Sequence, residues 1–395
     1  MLGTKIKSSG PACALGIDIG QCALKAIVLE QGREGVAVRH AARVLTPPGA
    51  VQKGVLVRKR EVAAQIRQIV RQADAPLASA SLAIPTDQVF VRWIDLPRMD
   101  EDALQAATPF EARKYLPYSI EKAEVVIVPS GSSDGDRMRA LLAAAPRDVV
   151  RSRAETLEMA GLEVAAIEIE PLAFIRALHT VGAGRNALWQ GQPIVHVHLG
   201  EEASGMCVVQ DMNLRFVHAI SWGSSRLTQM LATALECSPE EARALKESED
   251  ASIDPEGVFS WGEEGARQAT EALVPEFERL RREIQRLLNY YRSLFPERSY
   301  EGILDRLILS GGTANLKGLN RFFSQMFQAE VTVRNPFQSF ASHLVSGSFA
   351  AIAGHSTSFV VAVGLALGEL HTGAQGLDQA AGERSREVVW RRRAA

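Results

Sequence analysis

The 395-residue sequence has few cysteines, little net charge and no long apolar run, and each shortage removes a class of function. Its four cysteines, Cys13, Cys22, Cys207 and Cys237, stand far apart and form no Cys-x-x-Cys pair. That spacing argues against a zinc ribbon or a disulfide scaffold and fits a reducing compartment with mostly buried thiols. A net charge of −2 excludes a globally basic nucleic-acid binder. Lys5 and Lys7 precede an apolar stretch that Asp18 interrupts, so no signal peptide is expected. The longest unbroken apolar stretch near the C-terminus, Phe359–Leu367, is about half the ~20 residues a spanning helix needs. The expectation is a cytoplasmic protein whose membrane contact, if any, runs through a partner or its surface.

What is present is an ordinary mixture, 46% hydrophobic and 23% charged, enough to bury large cores in roughly two to four units. The charge is uneven. Residues 1–60 hold ten Lys/Arg against Asp18, Glu30 and Glu34, and the last twelve residues hold five Arg against Glu387. A solvated basic face is the expected reading of each end, ahead of an anionic membrane contact.

A weak repeat at an offset of 180 residues organises the chain. Ala14-Leu-Gly-Ile-Asp-Ile-Gly20 overlays Ile194-Val-His-Val-His-Leu-Gly200, with apolar residues in step and a glycine closing each. Each copy predicts a strand, a glycine turn, a second strand (Leu24–Leu29; Gly205–Val209) and a third (Gly35–Val44; Leu214–Ile220). Two such copies predict a duplicated domain. Between them lies an α+β insert: strands Ser79–Pro85 and Val89–Asp95, a helix over Asp100–Tyr115, strands Val125–Val128 and Ala140–Ala145 about a loop Ser130–Asp136, a helix Arg147–Ala160 and a strand Val164–Glu168. After the second copy come helices Ser224–Glu236 and Pro239–Ser248, then a long amphipathic helix through Ala266–Leu294 in which Pro275 could introduce a kink. Strand Arg306–Leu309, helix Gly318–Phe327 and a small-residue helix Ser358–Leu370 follow, and Gly373–Arg393 is expected to be loose.

The glycine turns carry the candidate chemistry. Asp18-x-Gly20 with Lys25 suits a phosphate: glycine admits close backbone approach, amides can face oxygens, and lysine supplies charge. Asp18 could hold a magnesium ion through a water. Gly200 would face it across a cleft, and Gly311-Gly312 opening a helix would accept a flat base or ribose. His196 and His198 share one face of a strand, but no third ligand is evident, so a structural role is expected instead of zinc.

With these residues assembled, the chain resembles the actin-like ATPase superfamily, its FtsA-like branch, and within that the type IV pilus assembly PilM family. "LGIDIGQCALKAIVLE" is similar to the first phosphate loop, Asp95–Val125 to the family insert, Ala160–Leu178 to the return into the first half, and Glu283–Pro296 to the long helix. Leu307–Leu319 is similar to the adenosine motif, Val333–Phe337 to the strand beyond it, and Ala362–Gly368 to the closing helix. The resemblance implies a duplicated two-lobe (ribonuclease H-like) α/β fold. Its expected parts are a first lobe of 14–85 plus 164–192, an insert of 86–163, a second lobe of 193–235 plus 300–371, a helical subdomain of 236–299 and a flexible basic tail of 372–395. It implies ATP or ADP with magnesium between the lobes, at Asp18, Gly20, Gln21, Cys22, Lys25, Gly200, Lys246, Gly311 and Gly312. It also implies a cytoplasmic adaptor, peripheral to the inner membrane, that takes the N-terminal peptide of a PilN-like membrane protein beside the insert, with other pilus platform proteins and self-association compatible. Lys114, Tyr115, Leu116 and Pro117 either contribute to that groove or simply end and pack a helix.

Three departures from the family pattern bear on chemistry. His198 stands where an Asp is expected, and imidazole cannot replace a carboxylate beside hard Mg²⁺. Gly200 is followed by Glu201 and Glu202, for which repulsion of phosphate is the simpler expectation, and Gln21-Cys22-Ala23 lack the usual hydroxyls. Arg243 stands where a ribose-binding Glu is expected, while Lys246 is retained. Nucleotide binding is expected, efficient hydrolysis is not, and no catalytic residue is assigned. An active ATPase or small-molecule kinase, and a cell-division membrane adaptor using the tail, stay open as alternatives.

Overall fold

The computed structural model describes residues 12–32, 35–180, 193–211, 213–261, 266–294, 306–340, 352–374 and 389–390. Residues 181–192, expected at the end of the first lobe, and most of the expected tail lie outside this set.

The first half opens with a meander of β1 (Cys13–Ile19), β2 (Ala23–Gly32) and β3 (Gly35–Leu45), followed by the small hairpin β4 (Val51–Gln52) and β5 (Val55–Leu56). Helix α1 (Lys59–Ala73) buries Val62, Ile66 and Ile69 and leads to β6 (Ser79–Ile84), which lies parallel to β1. The insert comprises β7 (Phe90–Pro97), α2 (Glu101–Arg113), β8 (Ala123–Asp134) and β9 (Arg137–Pro146), with sheet order β7-β9-β8. Asp100 caps α2 by accepting from the Ala103 amide at 2.8 Å. The expected loop Ser130–Asp136 is shorter than the sequence suggested, because β8 runs on to Asp134 and only a tight turn remains. Helix α3 (Arg147–Ala160), β10 (Glu163–Ile169) and α4 (Glu170–Thr180) then return to the first lobe.

The second half repeats the plan with β11 (Ile194–His198), β12 (Ser204–Gln210), β13 (Asn213–Ile220), α5 (Ser224–Ala234) and α6 (Pro239–Lys246). The hairpin β14 (Ser252–Ile253) and β15 (Phe259–Ser260) precedes α7 (Ala266–Leu294), one continuous 29-residue helix that includes Pro275. β16 (Arg306–Ser310), α8 (Leu319–Phe327), β17 (Glu330–Val333), α9 (Val360–Ala374) and β18 (Val389–Trp390) complete the chain. The sheet orders β10-β6-β1-β2-β3 and β17-β16-β11-β12-β13 match position for position, with β18 added outside β10. This is the duplicated actin-like α/β architecture.

Side-chain packing redraws three of the expected boundaries. α3, expected in the insert, lays Val149, Leu157 and Ala160 into the first-lobe core, with α1 as its main partner. α9, expected in the second lobe, packs on β1, β2 and α4 of the first; Val360–Leu367 is apolar all round, so it is buried on every side. α7 contributes Leu273, Phe277, Leu280, Ile284 and Leu287 to one core with the second sheet instead of forming a separate subdomain. Each such fully buried Leu or Phe contributes roughly 1.5–3 kcal/mol. The insert keeps its own small core of Ile94, Leu96, Leu104, Ile127, Met138 and Leu142. It also touches the second lobe, where Trp93 Nε1 donates to the Leu214 carbonyl of β13 at 3.0 Å. Within the expected tail, residues 372–374 finish α9 and Val389–Trp390 form a strand, so the tail is not loose throughout.

Candidate functional site

The two glycine turns face a shared cleft of about 600 Å³ between the lobes. Asp18, Gly20, Gln21, Cys22, Lys25, Gly200, Lys246 and Gly312 all line it. Gly311 sits behind Gly312: its amide donates to the Thr357 carbonyl at 3.0 Å, and a Cβ there would overlap the Leu199 carbonyl at a φ of +94°. Only glycine fits that position.

The first turn carries a cation and a carboxylate in contact. Antiparallel pairing sets Asp18 opposite Lys25, and Lys25 Nζ lies 2.6 Å from Asp18 Oδ2 with both side chains nearly buried. Gly20 closes the turn by donating to the Ala23 carbonyl at 3.1 Å, and Thr46 donates its hydroxyl to the Gly20 carbonyl at 2.7 Å.

The second turn has the same backbone and a different chemistry. In the matching register His198 lies opposite Gly205, so both the carboxylate and the lysine of the first turn are missing. A Cβ at Gly205 would stand 2.7 Å from the Thr86 hydroxyl, so Thr86 fills the space a side chain would take. Ser310 Oγ hydrogen-bonds His196 Nε2 at 2.9 Å and His198 Nδ1 at 2.8 Å, and Phe174 packs against both rings. Burial lowers both imidazoles, His198 to about 3 with Lys25 adding to the effect, so both are neutral near pH 7. Both rings are thus held between the Ser310 hydroxyl and Phe174.

Glu201 does not stand as a bare charge. Arg243 Nη2 meets Glu201 Oε1 at 2.8 Å, and Ser224 donates its hydroxyl to Glu201 Oε2 at 2.8 Å. The Arg243 that departs from the expected pattern therefore neutralises the Glu201 that also departs from it, which corrects the expectation of simple repulsion; Glu202 is exposed. Arg243 Nη1 also donates to Cys22 Sγ across the cleft at 3.0 Å, and Arg43 approaches Glu247 at 3.7 Å beside it. Burial, then Glu201, raise the Cys22 thiol. A capping box at Ser238 and Glu241 fixes α6 and so places Arg243 and Lys246 on its last turns. Lys246 Nζ donates to the Ser224 carbonyl at 3.2 Å and to Thr228 Oγ1 at 2.9 Å, and burial lowers its pKa.

Sequence reasoning missed the cleft floor. Glu170, at the start of α4, accepts from the Thr86 amide at 2.8 Å and from its hydroxyl at 2.9 Å. Burial, then the nearby Asp18 charge, raise Glu170 to about 8, so its carboxyl keeps its proton near neutrality. Behind it the buried Arg153 donates to the Ala83 carbonyl at 2.8 Å and the Gly54 carbonyl at 2.7 Å. The available signal was Glu170-Pro171 at a strand-to-helix junction, a common helix opening. In the insert, Tyr115 and Leu116 pack partly onto the local core, Arg92 lies over the Tyr115 ring, and Lys114 and Pro117 are exposed, with Lys114 paired to Glu111 at 2.8 Å.

Comparison with known proteins adds identity to this geometry. The chain is 24% identical to the cell division protein FtsA of Streptococcus pneumoniae over 355 residues, covering 82% of this chain and 75% of that one. Its fold superposes on a structure of the PilM-PilN type IV pilus biogenesis complex with a TM-score of 0.75 at 22% identity, covering 90% of this chain and 98% of that one. It superposes on MreB5 of Spiroplasma citri bound to AMPPNP with a TM-score of 0.53 at 12% identity, covering 93% and 98%. The model of the type IV pilus assembly protein PilM family matches residues 16–370, and the chain belongs to that family.

Proposed function

We propose that this chain is a cytoplasmic adaptor of an inner-membrane platform that assembles type IV pili or a related secretion apparatus. It holds the N-terminal peptide of a PilN-like membrane protein, and a nucleotide in the interlobe cleft gates that binding with weak turnover or none. The family match along residues 16–370 carries the adaptor reading, and the fold likeness to a PilM-PilN complex supports the partner. The domain assignment proposed with it is two actin-like lobes with the 90–146 insert beside the first.

The residues of the cleft fit an adenine nucleotide. Its volume falls in the range of small-molecule sites; Gly20 and Gly312 leave backbone open to phosphates and a base, and Gly200 lines the facing turn. Lys25 would neutralise phosphate, with Asp18 reaching magnesium through a water and Gln21 and Cys22 bordering the turn. Lys246 and Gly311-Gly312 would flank the nucleoside. Bound ATP would bring phosphate charge and magnesium to this part of the cleft. The weak-turnover reading rests on one observation: where phosphoryl transfer would use a carboxylate, the chain has a neutral His198 tied to Ser310. On the partner side, the exposed Lys114 and Pro117 with the half-buried Tyr115 and Leu116 form the proposed groove rim. The test is a titration of the purified chain with the N-terminal cytoplasmic peptide of a PilN-like protein, with and without Mg-ATP. Peptide binding that changes with nucleotide supports the reading; no peptide binding in either condition overturns it.

A further inference from the structure

Two polar bridges cross from one lobe to the other, and the nucleotide reading assigns neither of them a task. Arg243, on α6 of the second lobe, donates from Nη1 to Cys22 Sγ in the first-lobe turn at 3.0 Å. Arg43, on β3 of the first lobe, lies 3.7 Å from Glu247, the residue that ends α6. Cys22, Arg43 and Glu247 line the cleft beside Lys246 and His355. The Arg43 and Glu247 side chains are 19% and 33% exposed, so the bridges stand at the rim of the cleft, partly shielded from solvent.

Elsewhere the lobes are joined by contacts of another kind. At the cleft floor Thr86 fills the space beside Gly205, Trp93 donates to the Leu214 carbonyl, and α4 packs on β12 and β13. The Gly311 amide is tied to the Thr357 carbonyl just ahead of α9. These are backbone bonds and close-packed surfaces, which part only at the cost of opening a core. The rim bridges join the ends of long side chains, which separate and rejoin by rotamer changes. Glu201 holds the same Arg243 guanidinium at 2.8 Å, so the arginine stays aimed across the rim. Both bridges start from one short helix, the eight-residue α6, which buries Ala242 against the second lobe.

We propose that the Arg243–Cys22 and Arg43–Glu247 bridges form a latch that ties α6 to the first lobe across the cleft rim, and that the latch parts each time a nucleotide enters or leaves. The inference rests on the nucleotide reading and adds a control point to it. The latch sets how fast nucleotide exchanges, while the floor contacts keep the lobes together throughout. Lys246 lies between Arg243 and Glu247 on the same helix, so the element that carries the latch also carries part of the proposed site. Because the Arg43–Glu247 half is an ion pair at the rim, salt weakens it, and exchange quickens with ionic strength.

The experiment compares the full chain with Arg43→Ala, Glu247→Ala and the double variant. Cys22 is the reporter: its alkylation by N-ethylmaleimide is followed by peptide mass spectrometry, with the buried Cys207 as a reference for loosening of the whole fold. Each single variant is expected to alkylate Cys22 at least about threefold faster than the parent, with Cys207 unchanged. The double variant should match the singles, because either change breaks the same pair. Release of methylanthraniloyl-labelled ADP in magnesium buffer, chased with excess ATP, should quicken by a similar factor. Raising salt from about 50 to 500 mM should quicken that release more in the parent than in the double variant. Unchanged Cys22 alkylation in the variants overturns the latch, as do single effects that multiply in the double. Labelled ADP release that is the same in all these proteins overturns it too. Alkylation needs no nucleotide and so tests the latch by itself. Labelled ADP that binds to none of the proteins would instead refute the nucleotide reading, and with it the part of the latch in exchange.

Discussion

At the end of β1, Asp18 lies opposite Lys25; 180 residues later, at the end of β11, His198 lies opposite Gly205. The strand order, the hairpin and the closing glycine are the same in both lobes. In the first turn a carboxylate and an ammonium form a buried pair that faces the cleft. In the second, two neutral imidazoles share one serine hydroxyl, and Thr86 occupies the place of the lysine. Duplicated backbone therefore does not imply duplicated chemistry. At the rim of the second turn, Arg243 and Glu201 form an ion pair and neutralise each other.

That contrast can be broken at several points. Lys25→Ala should have the largest effect, about 3–5 kcal/mol in chemical denaturation, because it leaves the buried Asp18 without its partner. Gly200→Ala should cost about 1–3 kcal/mol, since its Cβ would overlap the Ala203 carbonyl. Gly20→Ala should cost less in the same assay, because its Cβ meets only the movable Lys25 Nζ at 3.0 Å and the Ala23 carbonyl at 3.1 Å, yet it should weaken Mg-ATP binding more. Equal losses of stability in the two glycine variants would refute the idea that the first turn is the open one. Arg243→Ala should weaken Mg-ATP binding about tenfold, or about 1.4 kcal/mol, by uncovering Glu201, and adding Glu201→Gln should restore most of it.

The pH dependence has opposite signs in the two lobes. His196 and His198 are held below their ordinary 6.5, so the folded state disfavours their protonation; their contribution is complete above pH 6.5 and falls away in acid, for His198 as pH drops toward 3. Glu170 is raised from 4.5 to about 8, so its contribution is complete below pH 4.5 and is lost as pH rises toward 8. Thermal melts of His198→Asn should show a shallower acid limb, and those of Glu170→Gln a shallower limb between pH 5 and 8. A Glu170→Gln profile parallel to that of the parent would contradict the protonated carboxyl.

Much of this molecule was legible in advance because its signals are local or periodic. The positions of β1 to β3 and of β11 to β13 followed from alternation and a repeated glycine, and the α2 start followed from Asp100. Helix α1 starts without a local signal, since Arg58 precedes it and makes no side-chain cap, although Val62, Ile66 and Ile69 carry a readable helical spacing. The cleft residues named from the sequence do converge, but their partners join distant positions. Arg243 reaches Glu201 and Cys22, and Thr86 reaches Glu170, through tertiary contacts that no window of sequence contains. α9 was misplaced for a related reason: an all-apolar helix says that it is buried, not between which layers.

The central claim is that the cleft binds nucleotide while its second turn no longer supports efficient chemistry. Calorimetric titration with Mg-ATP and a phosphate-release assay on the same preparation test it most directly. The account predicts saturable binding, lost in Lys25→Ala, with phosphate release at or near background. Phosphate release well above background that disappears in Asp18→Ala would contradict it.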